Sequence, residues 1–158
     1  MSRGAADARI CAVEQLDIPE LALLEARSSV RPWSEVDLVG SLDAGNGCYK
    51  LLREMELLGY CVVRETGGEL EVLNLVIDAS AQRQGFGCHL LLGVMALPRY
   101  AGLASVWLEV ARDNTTARAL YRKLGFVDAG IRKDYYQRQG RPTDACIMTR
   151  DLKQTERH

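Results

Sequence analysis

Apolar residues recur along this chain in two spacings, and the change from one to the other marks its elements. Ala8 to Val13 suggests a first strand. Asp17 followed by Pro19 marks a helix start, and Leu21 and Leu24 carry that helix to about Arg27. Pro32-Trp33-Ser34 opens a second helix, with Ser34 as N-cap and Asp37 three residues on. It fades at Gly45-Asn46-Gly47, a turn signal. Strand-like stretches follow at 48–53, 57–64 and 69–77. The last alternates and then turns continuously apolar around Asn74, as mixed burial or a bulge would produce. Gly85 to about Leu97 reads as a helix closed by Pro98, and Ser105 to Val110 as a short buried strand. Ala117, Leu120, Tyr121 and Leu124 share one helical face, with Asn114 as cap and Gly125 as stop. Strands at 126–135 and 144–150 form a closing hairpin around Gly140-Arg141-Pro142. The order β-α-α-β-β-β-α-β-α-β-β predicts an α/β or α+β fold.

Composition narrows this picture. The chain has 158 residues, 47% hydrophobic and 26% charged, enough for one domain with a real core. With 20 Lys plus Arg against 21 Asp plus Glu, the net charge of −1 argues against a nucleic-acid coat and a polyacidic tail. No apolar run approaches the roughly 20 residues that span a bilayer. The first residues carry no apolar signal core, so a cytoplasmic protein is expected. The five cysteines are widely spaced without a C-x-x-C, which disfavours a disulfide framework or a zinc site. A histidine-based triad or metal site would have to use His89, since the other histidine is the terminal His158. The expected organisation is one domain over 1–158, with its core at about 8–150 and a loose tail at 151–158.

The densest chemical signal lies between Asn74 and Phe126. A strand leads through Asp78-Ala79-Ser80-Ala81 into Gln82-Arg83-Gln84-Gly85-Phe86-Gly87 and then a helix. A glycine-bearing turn running into a helix N-terminus is a phosphate cradle, because unpaired N–H groups and the helix dipole point at the anion. Gly85 and Gly87 let main chain approach a diphosphate closely, and Arg83 can add charge. An ordinary strand-to-helix turn with two convenient glycines is the plainer alternative. The chain carries its own control: Gln137-Arg138-Gln139-Gly140 repeats the tetrapeptide, but between two strands, where no helix follows. A Rossmann site fails because Leu90 stands where a third glycine is needed, and a Walker A loop fails for want of Gly-Lys-Ser/Thr.

Gln82 through Gly87 resembles the acetyl-CoA motif of the GCN5-related N-acetyltransferases (GNAT), Arg/Gln-x-x-Gly-x-Gly/Ala. Trp107-Leu108-Glu109-Val110, Asn114, Ala119-Leu120-Tyr121 and Leu124-Gly125-Phe126 lie in that family's order and spacing. Pro32-Trp33-Ser34 and Arg132-Lys133-Asp134-Tyr135-Tyr136 narrow the resemblance to its ribosomal-protein alanine N-acetyltransferases, the RimI type. Two departures stand out: Ala111 follows Glu109-Val110 where relatives often carry Arg, and the 78–81 loop lacks the Pro common among them. The resemblance implies a mixed sheet of six to seven strands with a splayed, V-shaped opening. It also implies direct acetyl transfer from acetyl-CoA to the N-terminal alanine of a small-subunit ribosomal protein. A monomer is expected, with no nucleic-acid, membrane or metal partner.

An N-acetyl transfer needs a neutral amine, a placed thioester and a proton for the departing thiolate. An α-amine, with a reference pKa of about 7.7–8.0, gives up its proton far more readily than lysine at about 10.4. Glu109, the only charge in an apolar strand, is the candidate base, and the resemblance assigns it that role. A strand-end Glu paired to an arginine such as Arg112 is the other reading. Tyr121 is the candidate acid, because a phenol stays protonated at neutral pH; its place in the apolar stripe fits a packing role equally. The resemblance puts pantetheine contacts at Leu75, Val76 and Ile77, and diphosphate contacts at Gln82, Arg83, Gln84, Gly85, Phe86, Gly87 and Cys88. By the same resemblance Asn114, an N-cap on physical grounds, also touches coenzyme A. Trp33 and Tyr135 are candidate walls of the peptide groove, with core or hairpin packing as the alternative. Two other activities stay open: acetylation of other N-termini, lysines or small amines, and a non-catalytic acyl-CoA-binding module.

Overall fold

The computed structural model describes residue 5, residues 7–138 and residues 141–153, with backbone placement only for 136–138 and 141. The tetrapeptide control and the tail from 154 therefore fall partly or wholly outside the described residues. Seven strands are β1 (Arg9–Ala12), β2 (Gly47–Arg53), β3 (Glu56–Thr66), β4 (Glu69–Ile77), β5 (Ser105–Ala111), β6 (Val127–Arg138) and β7 (Arg141–Asp151). Among the described residues the longer helices are α1 (Ile18–Ser28), α2 (Glu35–Asp43), α3 (Phe86–Met95) and α4 (Thr115–Lys123). The strand order is β1-β2-β3-β4-β5-β7-β6. Among the described residues, no helix is long and apolar enough to cross a membrane.

The chain falls into two compact units, and β4 contributes to both. The first holds residues 1–64 and 74–101. Here β1, β2 and β3 pair antiparallel, with Ile10 opposite Leu51 and Tyr49 opposite Cys61. The centre of β3, Leu57 to Val63, is buried throughout. A glycine inside it has a specific cause: a Cβ at Gly59 would stand 2.4 Å from the Val76 carbonyl oxygen. The missing side chain lets β3 close on the end of β4, and Asp78 N–H continues the contact by donating to Leu58 O at 2.8 Å. Helix α3 buries Phe86, Leu90, Leu91 and Val94. It also ties His89 Nε2 to the Ala8 carbonyl at 3.0 Å, so the histidine singled out in the sequence is engaged with main chain.

The second unit holds residues 65–73 and 102–158. Its β4 segment runs parallel to β5, from Glu69 opposite Ser105 to Val72 opposite Leu108. Strand β5 then pairs antiparallel with β7, and β7 with β6. Val106, Leu108, Val110, Cys146 and Met148 are buried and, by strand alternation, share one face. In β4, Leu70, Val72 and Val76 are buried while Leu73, Leu75 and Ile77 are half-covered, the mixed burial that is one of the two readings of its apolar run.

Candidate functional site

The anion cradle of the first unit starts at Asp78. Its carboxylate accepts from Ser80 N–H at 3.0 Å and caps a single turn of 3₁₀ helix over Ala79–Ala81. Arg27 of α1 donates to the same carboxylate through Nε at 2.8 Å, which holds the Asp78 carboxyl below its usual range. Gln82 then reaches back to donate to the Ile77 carbonyl at 3.0 Å, fixing the turn against the end of β4. Arg83 and Gly85 both take left-handed backbone, at φ 64° and 87°. Gly85 is the N-cap of α3 and brings no side-chain cap, and no acid stands in the first turn. The opening N–H groups of a helix lack intrahelical partners, so Phe86, Gly87 and Cys88 present donors to whatever anion arrives. Cys88 is half-buried. The residues of the predicted cradle thus form a continuous path from Leu75 to Cys88, and their chemistry fits the diphosphate of a coenzyme A.

Trp33 sits where the predicted helix start places it, just before the Ser34 cap of α2. With Val36, Asp37, Gly40, Ser41 and Asn46 it lines an open hollow of about 480 Å³. The main-chain N–H of Trp33 donates to Glu25 Oε2 at 3.3 Å. Glu25 is fully buried and also accepts from the Tyr60 hydroxyl and from Asn74 Nδ2. Burial of the Tyr60 hydroxyl, and then its hydrogen bond to this carboxylate, push its pKa strongly upward. The sequence reading passed over Glu25, although it lies four residues after Leu21 and seven after Ile18, on the buried stripe of α1.

In the second unit, β5 presents Glu109 with a side chain only 16% exposed. Glu109 is the one charged residue of β5, and its carboxylate has a partner from another strand. Arg132 of β6 places Nη1 at 2.9 Å from Oε1 and 3.2 Å from Oε2 of Glu109. The partner suggested from sequence, Arg112, instead pairs with Asp144 at 3.5 Å. Sequence offers no local cue to the correct arginine, because 23 residues separate Glu109 from Arg132 and only strand register joins them. Tyr135, 46% exposed, lies with its ring centroid 4.4 Å from the Arg132 guanidinium carbon.

Asn114 is the N-cap of α4: its Oδ1 accepts from Ala117 N–H at 3.2 Å. Tyr121, one face-repeat later, is 8% exposed and packs edge-on against Phe126 at 5.7 Å between ring centroids. Gly125 ends the helix in left-handed backbone at φ 92°. Of the stripe read from the sequence, Tyr121 and Leu124 are buried, while Ala117 and Leu120 are half-covered.

Residues 13–126 match the family model described as the acetyltransferase (GNAT) family. The chain is 32% identical over 139 residues to the ribosomal protein bS18-alanine N-acetyltransferase of Escherichia coli K12, covering 88% of this chain and 94% of that protein. It is 31% identical over 137 residues to the enzyme of the same name from Haemophilus ducreyi, covering 86% and 94%. Its fold superposes on the crystal structure of the Escherichia coli ribosomal-protein-S18-alanine N-acetyltransferase with a TM-score of 0.85 at 30% identity, covering 92% and 94%. A Bacillus subtilis acetyltransferase solved in complex with CoA shares the fold, with a TM-score of 0.76 at 23% identity and coverage of 92% and 99%.

Proposed function

Because this chain belongs to the GNAT family of acetyltransferases, we propose that it acetylates the N-terminal alanine of a small-subunit ribosomal protein, using acetyl-CoA. The observation that carries this reading is the start of α3, a glycine-led, uncapped, acid-free helix N-terminus that follows the Gln82–Gly87 motif. The acceptor rests on similarity across nearly the whole chain to enzymes named for that alanine. The enzyme acts as a monomer in the cytoplasm, where ribosomal proteins are made.

Acetyl-CoA supplies an activated acyl group as a thioester. Leu75, Val76 and Ile77 offer main-chain groups to its arm; Gln82 to Cys88 hold the diphosphate, and Asn114 adds a contact. Trp33 and Tyr135 wall the peptide. A bond forms from the amine nitrogen to the acetyl carbon, the carbon–sulfur bond breaks, the nitrogen loses a proton and the sulfur gains one. Glu109 receives the proton from nitrogen, directly or through water, and the Tyr121 hydroxyl supplies the one that sulfur needs. A phenol of pKa about 10 can protonate a thiolate whose acid has a pKa near 8.5.

The test is mass spectrometry of synthetic peptides incubated with protein and acetyl-CoA, comparing Ala-, Ser- and Met-starting sequences with a peptide carrying only an internal lysine. The Ala-starting ribosomal sequence is expected to gain one acetyl group at its α-nitrogen. Modification of lysines or polyamines alone would replace this reading with that of a different acceptor.

A further inference from the structure

Glu109 shares its sheet face with a defined set of residues. Strand alternation and the registers put Trp107, Glu109 and Ala111 of β5, Ala145, Ile147 and Thr149 of β7, and Gly130 and Arg132 of β6 on one side. Glu71 of β4, opposite Trp107, also projects to that side, two residues along from the Glu109 position; Glu109 and Arg132 are its other charged members among these residues. Arg132 stands opposite Ala145, and Ala145 opposite Ala111, while Ile147 stands opposite Glu109 and Gly130. The guanidinium therefore reaches the carboxylate diagonally across β7, past the small Ala145. The nearby charges off that face pair elsewhere, Arg112 with Asp144 and Arg122 with Asp128, while Asp144 also accepts from Asp134 N–H at 3.0 Å. Lys133 and Asp113 are exposed neighbours in the chain.

One guanidinium nitrogen spans both carboxylate oxygens, and the Tyr135 ring lies 4.4 Å from the guanidinium carbon. A carboxylate and an aromatic face on the same cation hold it from two directions. The pair is neutral as a whole. A protonated amine approaching Glu109 meets a guanidinium of its own sign and gains little; a neutral amine meets no such penalty.

We propose that Arg132 is a specificity-determining residue that makes Glu109 accept amines arriving neutral, and so favours α-amines over lysine side chains. This rests on the reading of Glu109 as the group that receives the acceptor amine. An unpaired Glu109 carboxylate would attract ammonium groups and could take their proton after binding, which admits lysine. With Arg132 in place, turnover follows the fraction of amine already neutral in solution. The reference pKa values of about 7.7–8.0 and 10.4 make that fraction on the order of 300-fold larger for an α-amine at neutral pH.

The experiment measures kcat/KM against pH for wild type, Arg132→Gln and Arg132→Lys on two peptides, one starting with alanine and one with a blocked N-terminus and a single lysine. For wild type, the acid limb should follow the pKa of the amine itself and shift upward when β-alanine, a more basic amine, replaces the first residue. Arg132→Gln should move the acid limb to lower pH and narrow the alanine-to-lysine ratio by about tenfold or more. Arg132→Lys, which keeps the charge, should restore both. An acid limb and ratio that Arg132→Gln leaves in place would overturn the proposal, as would a uniform rise in rate at every pH. A wild-type limb indifferent to the basicity of the amine overturns it without any variant. Wild type that acetylates no amine at all removes the underlying reading, and the inference with it.

Discussion

Helices α2 and α3 begin in opposite ways within the same unit. At α2 the Ser34 N–H donates to Asp37 Oδ2 at 2.8 Å, and Asp37 N–H donates to Ser34 Oγ at 3.2 Å. That reciprocal box, with Glu35 and Asp37 in the first turn, satisfies two of the free donors and offsets the positive end of the dipole. At α3 the N-cap is a glycine in left-handed backbone, no side chain caps it, and no acid follows. One helix start is finished by its own sequence and the other is left uncapped, which is why the proposed function puts the diphosphate there.

The sharpest way to break this contrast is to give α3 what α2 has. Cys88→Asp puts an acid at the position that Asp37 holds in α2. The unliganded protein should gain a few tenths of a kcal/mol, as first-turn acids do. Acetyl-CoA affinity should fall by roughly 100-fold, because two like charges a few ångströms apart repel by several kcal/mol where screening is partial. Calorimetry and a thermal melt read the two opposite signs; a fall in both stability and affinity would indicate a packing defect instead.

Gly85→Ala tests the backbone rather than the charge. A Cβ at Gly85 meets nothing within 4 Å, so the cost is conformational, about 1–2 kcal/mol for a left-handed alanine. The expected result is a lower melting temperature and acetyl-CoA affinity weakened by about tenfold, read by melts with and without ligand. Ser34→Ala is the counterpart at α2: it should cost about 1 kcal/mol of stability and leave the acetyl-CoA dissociation constant unchanged.

The smallest effect concerns the one acid that leads into the cradle. Asp78 is held below its usual range chiefly by the Arg27 hydrogen bond, so it binds a proton less readily folded than unfolded. That interaction stabilises the fold above the ordinary carboxylate range and is lost as pH falls through the lowered value of Asp78 itself. Wild type should therefore lose its stability advantage over Asp78→Asn below about pH 4, in urea melts run at successive pH values. An advantage constant down to pH 2 would show that the carboxylate does not titrate with unfolding.

The elements were legible wherever the local signal was covalent or periodic. The Ser34 box, the Asn114 cap and the Gly125 stop lie within three residues of the backbone they serve, and each is found as the pattern predicts. Asp17 shows where such reading stops. Its spacing marks a helix start, but its carboxylate turns away to Glu14 N–H at 2.8 Å and Lys50 at 2.8 Å, and caps nothing in α1. A cap residue within reach of a strand lysine has a competing partner that the one-dimensional pattern does not contain.

By itself the sequence determined the order of the elements, the motif that starts α3 and the residue types available for proton transfer, because each depends on neighbours a few positions away. The tertiary structure decided which charges meet. It buried Glu25 under Tyr60 and Asn74, and it brought Arg132 across the intervening β7 to Glu109. Strand register sets such pairings, and register comes from the whole sheet: a slip of one residue would have turned Arg132 to the opposite face.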